Sequence, residues 1–122
     1  MMQEPTIDLS DLFELLEHDQ EKVQQLAMVF LRSTHDGLGE LDAALTRGDI
    51  ALMRDLGHRI KASAQIVGAL GMAHLCQDLE QLPVTDIAAE KMSAGVIVAQ
   101  LHALLVKAGE LILQQDTCHG KN

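Results

Sequence analysis

From Val23 onward the core-type positions Leu26, Ala27, Phe30, Leu31, Thr34, Leu38, Leu41 and Leu45 recur at a spacing of three and four. Only an α-helix puts such residues on one face, so more than twenty consecutive positions are committed to helix. The punctuation around this run is equally local. Asp19 stands where an N-cap is needed, and Gly48-Asp49 ends one helix and caps the next. Gly37 and Gly39 weaken the middle and predict a bend.

The rest of the chain reads the same way. Asp8 to Asp19 forms a short amphipathic helix with Leu9, Leu12, Phe13, Leu15 and Leu16 on its apolar side. A third helix runs from Ile50 to about Val67, and Gly68 marks the junction with a fourth, Ala69 to Leu82, which Pro83 stops. Thr85 or Asp86 caps a final long helix reaching about Gln115, and residues 1–6 and 116–122 are expected to be flexible tails. With aromatics at 2% of the residues and hydrophobics at 48%, the core must be built from Leu, Ala and Met. That disfavours β-sandwiches and barrels, which lean on aromatic and β-branched strands. The expected fold is all-α: one domain over 1–122, an antiparallel up-down four-helix bundle with a short additional N-terminal helix.

The charge balance narrows the function. Nine basic against 18 acidic residues give a formal net charge of −9, which disfavours nucleic acid and anionic lipid as partners. Two cysteines, Cys76 and Cys118, without a C-x-x-C pair indicate neither a disulfide framework nor a zinc knuckle. No apolar run is expected to span a membrane, and the N-terminus lacks the basic and apolar regions of a signal peptide, so a cytoplasmic location is expected. The six histidines never form the i, i+4 pair of a helical metal site. His74 and His102 read as structural or solvated, Cys118-His119 as tail residues, Cys76 as small core packing, and Met28, Met53, Met72 and Met92 as core filler. No Gly-rich phosphate loop is present, so ATP binding is not expected.

One constellation is out of place. On a helical wheel of the third helix, Met53, Leu56, Ile60, Ala64 and Val67 define the core stripe, and His58 falls roughly opposite. Arg54, Lys61, Ala62 and Gln65 share its face, and Arg59 adjoins it. Three of the nine basic residues thus lie within eight positions of an acidic chain. A solvated face with a chance cluster of charge is the plainer explanation. The sharper one is a nucleophilic imidazole with cations to receive an anion such as a phosphoryl group, and a small residue, Ala62, leaving the approach open.

These residues carry a resemblance. His58-Arg59-Ile60-Lys61-Ala62-Ser63-Ala64, then Gly68-Ala69, then Leu75-Cys76 and Leu79-Glu80, resemble the signature of histidine-containing phosphotransfer (HPt) domains. That signature is roughly H-x-[LI]-K-G-[SA]-[SA]-x-x-x-G-[AL], followed by L-C-x-x-L-E. Leading segments I-D-L-x-x-L-x-x-L and L-x-A-A-L-x-x-G-D are also typical, so residues 7 to about 82 match in register. The resemblance implies that His58 is the phosphoacceptor on its outer ring nitrogen, that Lys61 helps neutralise the phosphoryl charge, and that Glu80 orients the ring through the other nitrogen. Arg54 is expected to add charge stabilisation. Arg59, Ala62 and Gln65, bordered by Leu9 and Leu12 of the first helix, are expected to form the docking surface. The family most often has Gly where this chain has Ala62, which puts a methyl group in a partner's path.

The implied function is a histidine phosphotransfer protein of a multistep two-component phosphorelay. It takes a phosphoryl group from one receiver-domain aspartate and passes it to another, as a stoichiometric carrier and not an enzyme. Receiver domains and a hybrid sensor histidine kinase are the implied partners. No cofactor is expected on this chain, because the magnesium ion belongs to the receiver. A monomer is expected, and Met1 leans toward a free-standing protein over the C-terminal domain of a hybrid kinase. Two other readings remain open: a docking module that binds or sequesters receivers without carrying phosphate, and a helical metal-binding or structural bundle.

Overall fold

The computed structural model describes residues 6–82 and 87–120, with side chains of the last helix described from 92 to 114. It contains α1 (Ser10–Leu15), α2 (Gln20–Arg47), α3 (Ile50–Ile66), α4 (Leu70–Glu80) and α5 (Ile87–Gly120). Successive helices pack on one another and α5 returns to α2, so α2 to α5 close a ring with α3 and α5 on opposite corners. The short α1 rests on α2. This is the expected helical bundle.

Local chemistry sets the boundaries. Asp19 accepts from the Lys22 N–H and Asp49 from the Leu52 N–H, both at 3.1 Å; such caps contribute about 1 kcal/mol each. Gly48 closes α2 in the left-handed conformation, φ +69°, which a side chain would resist. Between α1 and α2 the left-handed residues are Glu17 and His18, and the His18 ring stacks on Phe13 at 4.9 Å.

Gly37 does not break α2, which runs unbroken across it. A Cβ there would stand 3.2 Å from Ile60 Cδ1, so this glycine serves close packing against α3. Gly68 does similar work at the α3–α4 corner. Its φ is +70°, and a Cβ would lie 2.0 Å from the carbonyl oxygen of Asp8. The segment leading into α1 is therefore laid directly over this corner.

That placement corrects one expectation. Leu9 and Leu12, expected on the docking surface, are only 8% and 2% exposed. Leu9, just before α1, and Leu12 within it turn inward, as burial of two leucines favours by about 1.5–3 kcal/mol each, whereas Leu15, expected on the same apolar side, is 74% exposed. The methionines also divide: Met53 and Met72 lie in the core, whereas Met28 and Met92 are exposed. Cys76 is buried, and burial, with the Glu80 charge second, pushes its thiol up to about 12. It is a packing residue without thiolate character.

The last helix continues to Gly120 instead of stopping near Gln115, since no strong helix breaker precedes that glycine. Residues 92–114 are long and apolar enough, by length and composition alone, to cross a membrane. No such stretch was expected, because Ser93, Gln100 and His102 interrupt any continuous apolar run. In the fold this segment forms one wall of the bundle, and His102 holds Asp42 of α2 at 3.0 Å. His74 is exposed. Pro83, Thr85, Asp86, Cys118 and His119 lie outside the described residues or their described side chains.

Candidate functional site

His58 stands on the outer face of α3 with 69% of its side chain exposed. The residue before it explains what reaches it. Gly57 is buried, and a Cβ there would stand 3.0 Å from both the Cys76 carbonyl oxygen and Leu79 Cβ. With no side chain between them, α3 and α4 approach closely beside the histidine. The last residue of α4, Glu80, is thereby placed with Oε2 3.3 Å from His58 Nδ1.

This contact assigns the ring. An ionised carboxylate can only accept, so Nδ1 must carry the proton, and in the neutral ring Nε2 keeps its lone pair. Glu80 Oε1 is shielded from solvent and lies 2.6 Å from Lys61 Nζ. Lys61 also donates to Gln77 Oε1 at 3.1 Å. One carboxylate is thus shared between the imidazole and the ammonium. The Lys61 ammonium, more than the opposing burial or the contact with His58, holds the Glu80 carboxyl below its usual range.

The basic island is less free than the wheel suggests. Lys61 is engaged by Glu80 and Gln77. Arg54 donates from Nε to the Glu80 backbone carbonyl at 3.0 Å, where it satisfies an orphan acceptor at the negative end of α4. That contact makes Arg54 a clamp on the loop-side end of α4 instead of a loose counter-ion. Arg59 lies 3.5 Å from Asp55 one turn earlier, both largely exposed. Ala62 and Gln65 are exposed on the His58 side of α3. The structure therefore brings His58, Lys61, Glu80 and Arg54 together and removes Leu9 and Leu12.

Two contributors escape a single-helix reading. Gln77 lies three residues before Glu80, hence on the same side of α4, but nothing in its own helix shows that it meets Lys61. Gly57 borders the core stripe of α3, and its lack of a side chain matters only because Cys76 and Leu79 of α4 close in on it.

A lowered carboxyl implies a pH dependence with a definite sign. Ionised Glu80 stabilises the fold above its unfolded-state value, and that contribution is lost as pH falls through the lower folded value. The Glu80→Gln variant is expected to have a urea midpoint lower than the parent near neutrality, by on the order of 0.3 M for a partly exposed ion pair. The difference should persist below about pH 4.3 and close only in stronger acid. Urea titrations of both proteins from pH 7 down to 3 check this; a gap that is absent at pH 7 refutes it.

On this helical bundle His58 presents an exposed imidazole with one nitrogen beside a carboxylate and the other open, an arrangement suited to a histidine-carrier module. The Hpt domain family model matches residues 25–111, and the chain belongs to that family. It is accordingly a histidine phosphotransfer module of phosphorelays, a phosphocarrier of the kind that works with receiver domains and hybrid kinases. Two solved structures share the fold. Histidine-containing phosphotransfer protein B from Pseudomonas aeruginosa PAO1 is 24% identical with a TM-score of 0.78, over 93% of this chain and 96% of that one. The HPT domain of the Hpt sensor hybrid histidine kinase from Shewanella is 19% identical with a TM-score of 0.66, over 89% and 95%. A search of curated proteins found no match.

Proposed function

We propose that His58 is the residue that carries the phosphoryl group, taking it from an aspartyl phosphate on one receiver domain and giving it to an aspartate on another. The observation that carries this reading is the 3.3 Å contact from Glu80 to Nδ1 on an otherwise open ring. Nε2 supplies the electron pair for the new N–P bond as the bond from phosphorus to the aspartyl oxygen breaks, and the carboxylate leaves. No proton has to move, because Nδ1–H stays in place. Positive charge developing on the ring is balanced by Glu80, and charge on the phosphoryl oxygens by Lys61. The magnesium ion is the receiver's.

Arg54 acts by position, holding the backbone of Glu80. Arg59, Ala62 and Gln65 would meet the receiver, with Ile66, exposed at the end of α3, supplying the apolar border first assigned to Leu9 and Leu12. The cytoplasm is the proposed location. The test is transfer from a receiver carrying radiolabelled phosphate, followed by acid and alkali treatment of the acceptor. An acid-labile, alkali-stable label on this chain is expected. Binding to a receiver with no transfer from any of several would instead make the protein a docking module.

A further inference from the structure

The last helix has two apolar sides. Ala94, Val98, Leu101, Ala108 and Ile112 are buried in the core. Facing away from them, Met92, Val96, Ala99, Ala103 and Val106 are all exposed. They follow at steps of four, three, four and three, which is the spacing of a coiled-coil seam. The three larger side chains are 77%, 60% and 65% exposed, whereas an outward helix face is ordinarily polar.

Charge narrows the choice of partner. Residues 92 to 106 contain no Asp, Glu, Lys or Arg in a chain of net charge −9. Two copies would repel across an acidic face, but this stretch is free of that cost. The bordering Asp42 is already engaged by His102.

We propose that this seam is an interface between two copies of the chain, paired antiparallel about a two-fold axis at the level of Leu101. The register follows from the residues. Val96 meets the partner's Val106, and Ala99 meets the partner's Ala103, small enough for close approach at the centre. Glu110, one step beyond Val106, meets the partner's Met92. A parallel pair would set Glu110 against its own copy, two like charges in one layer.

The area sets the strength. From Met92 to Glu110 the seam is about 27 Å long and about 10 Å wide, which offers on the order of 300–400 Å² per copy. That is about half of what each partner contributes to a standard stable complex, so the dimer is weak and concentration-dependent. Because α5 and α3 occupy opposite corners of the ring, both copies of His58 point away from the seam and stay accessible. The dimer is a carrier with two outward acceptor sites. Its existence does not depend on the role proposed for His58.

Sedimentation velocity of the full chain from about 10 µM to about 1 mM, a range suited to a weak interface, decides it. The weight-average mass is expected to climb from 13.3 kDa toward twice that value. Val96→Glu, at an exposed position, should weaken association at least about tenfold with unchanged helical circular dichroism. The double variant Val96→Glu/Val106→Lys should restore it, since the register sets the two substituted positions opposite each other. Three results overturn the proposal: a wild-type mass fixed at the monomer value, a dimer that survives Val96→Glu, or a double variant that stays monomeric. Loss of receiver binding in Val96→Glu without any change in mass behaviour would likewise overturn it and assign the seam to the receiver.

Discussion

The His58→Gln protein is expected to acquire no acid-labile phosphoryl label, a loss of at least about 10³-fold, while still binding a receiver within a few-fold of the parent. Glutamine fills similar space and its amide can donate to Glu80. Its nitrogen lone pair is delocalised into the carbonyl, so it has nothing to offer phosphorus. Docking rests on the surrounding surface of α3 and should survive. Uptake from a labelled receiver and receiver titration by calorimetry read the two effects separately. Undiminished label on the variant would move the acceptor role to another exposed histidine, such as His18, His35 or His74. Loss of binding together with label would mean that the ring itself is the main docking contact.

The largest expected loss of stability comes from a residue far from this chemistry. Gly68→Ala should lower the folding free energy by about 3 kcal/mol and the melting temperature by roughly 10 °C. Part of this is the left-handed backbone, which costs an L-residue about 1–2 kcal/mol. The remainder is displacement. The new methyl would fall 2.0 Å from the Asp8 carbonyl oxygen, so the segment bearing buried Ile7 and Leu9 must lift. Gly39→Ala is the internal control. A Cβ at Gly39 meets nothing within 4 Å, and in mid-helix the change should stabilise by about 0.5–1 kcal/mol. Thermal melts of both variants distinguish these outcomes; a Gly68→Ala melt within about 2 °C of the parent would mean that Asp8 yields freely.

Much of the fold was legible because it is local. Asp19, Gly48 and Asp49 act through neighbours a few residues away, and the core stripe of α3 follows from its period alone. What escaped depends on what faces a helix from elsewhere. A wheel places Leu9 and Leu12 on one side of α1 but cannot say whether that side meets the core or a partner. It sets Arg54 and Lys61 near His58 without showing that α4 already holds both. The outward seam of α5 was hidden for the opposite reason: a helix apolar on two sides has no face that the pattern marks as exterior. His58, Lys61 and Glu80 stand out in the sequence through their match to the family signature, and the structure places them together, while Gln77 and Gly57 matter only through the helix crossing.

Sharing Glu80 between a lysine and a histidine bears on how firmly the cargo can be kept. On the proposed mechanism, Lys61 does not greet the arriving phosphoryl group empty-handed. Any attraction it extends to the new anion is withdrawn from the 2.6 Å contact it already makes. The net gain is the difference between two ion pairs, and each 1.4 kcal/mol of that difference shifts the equilibrium tenfold. A fully unengaged lysine would deepen the well and bias the equilibrium toward retention. A lysine drawn from an existing pair leaves the loaded and unloaded states closer in free energy, so hand-over can run in either direction and the flow of phosphate follows the relative occupancy of the two receivers.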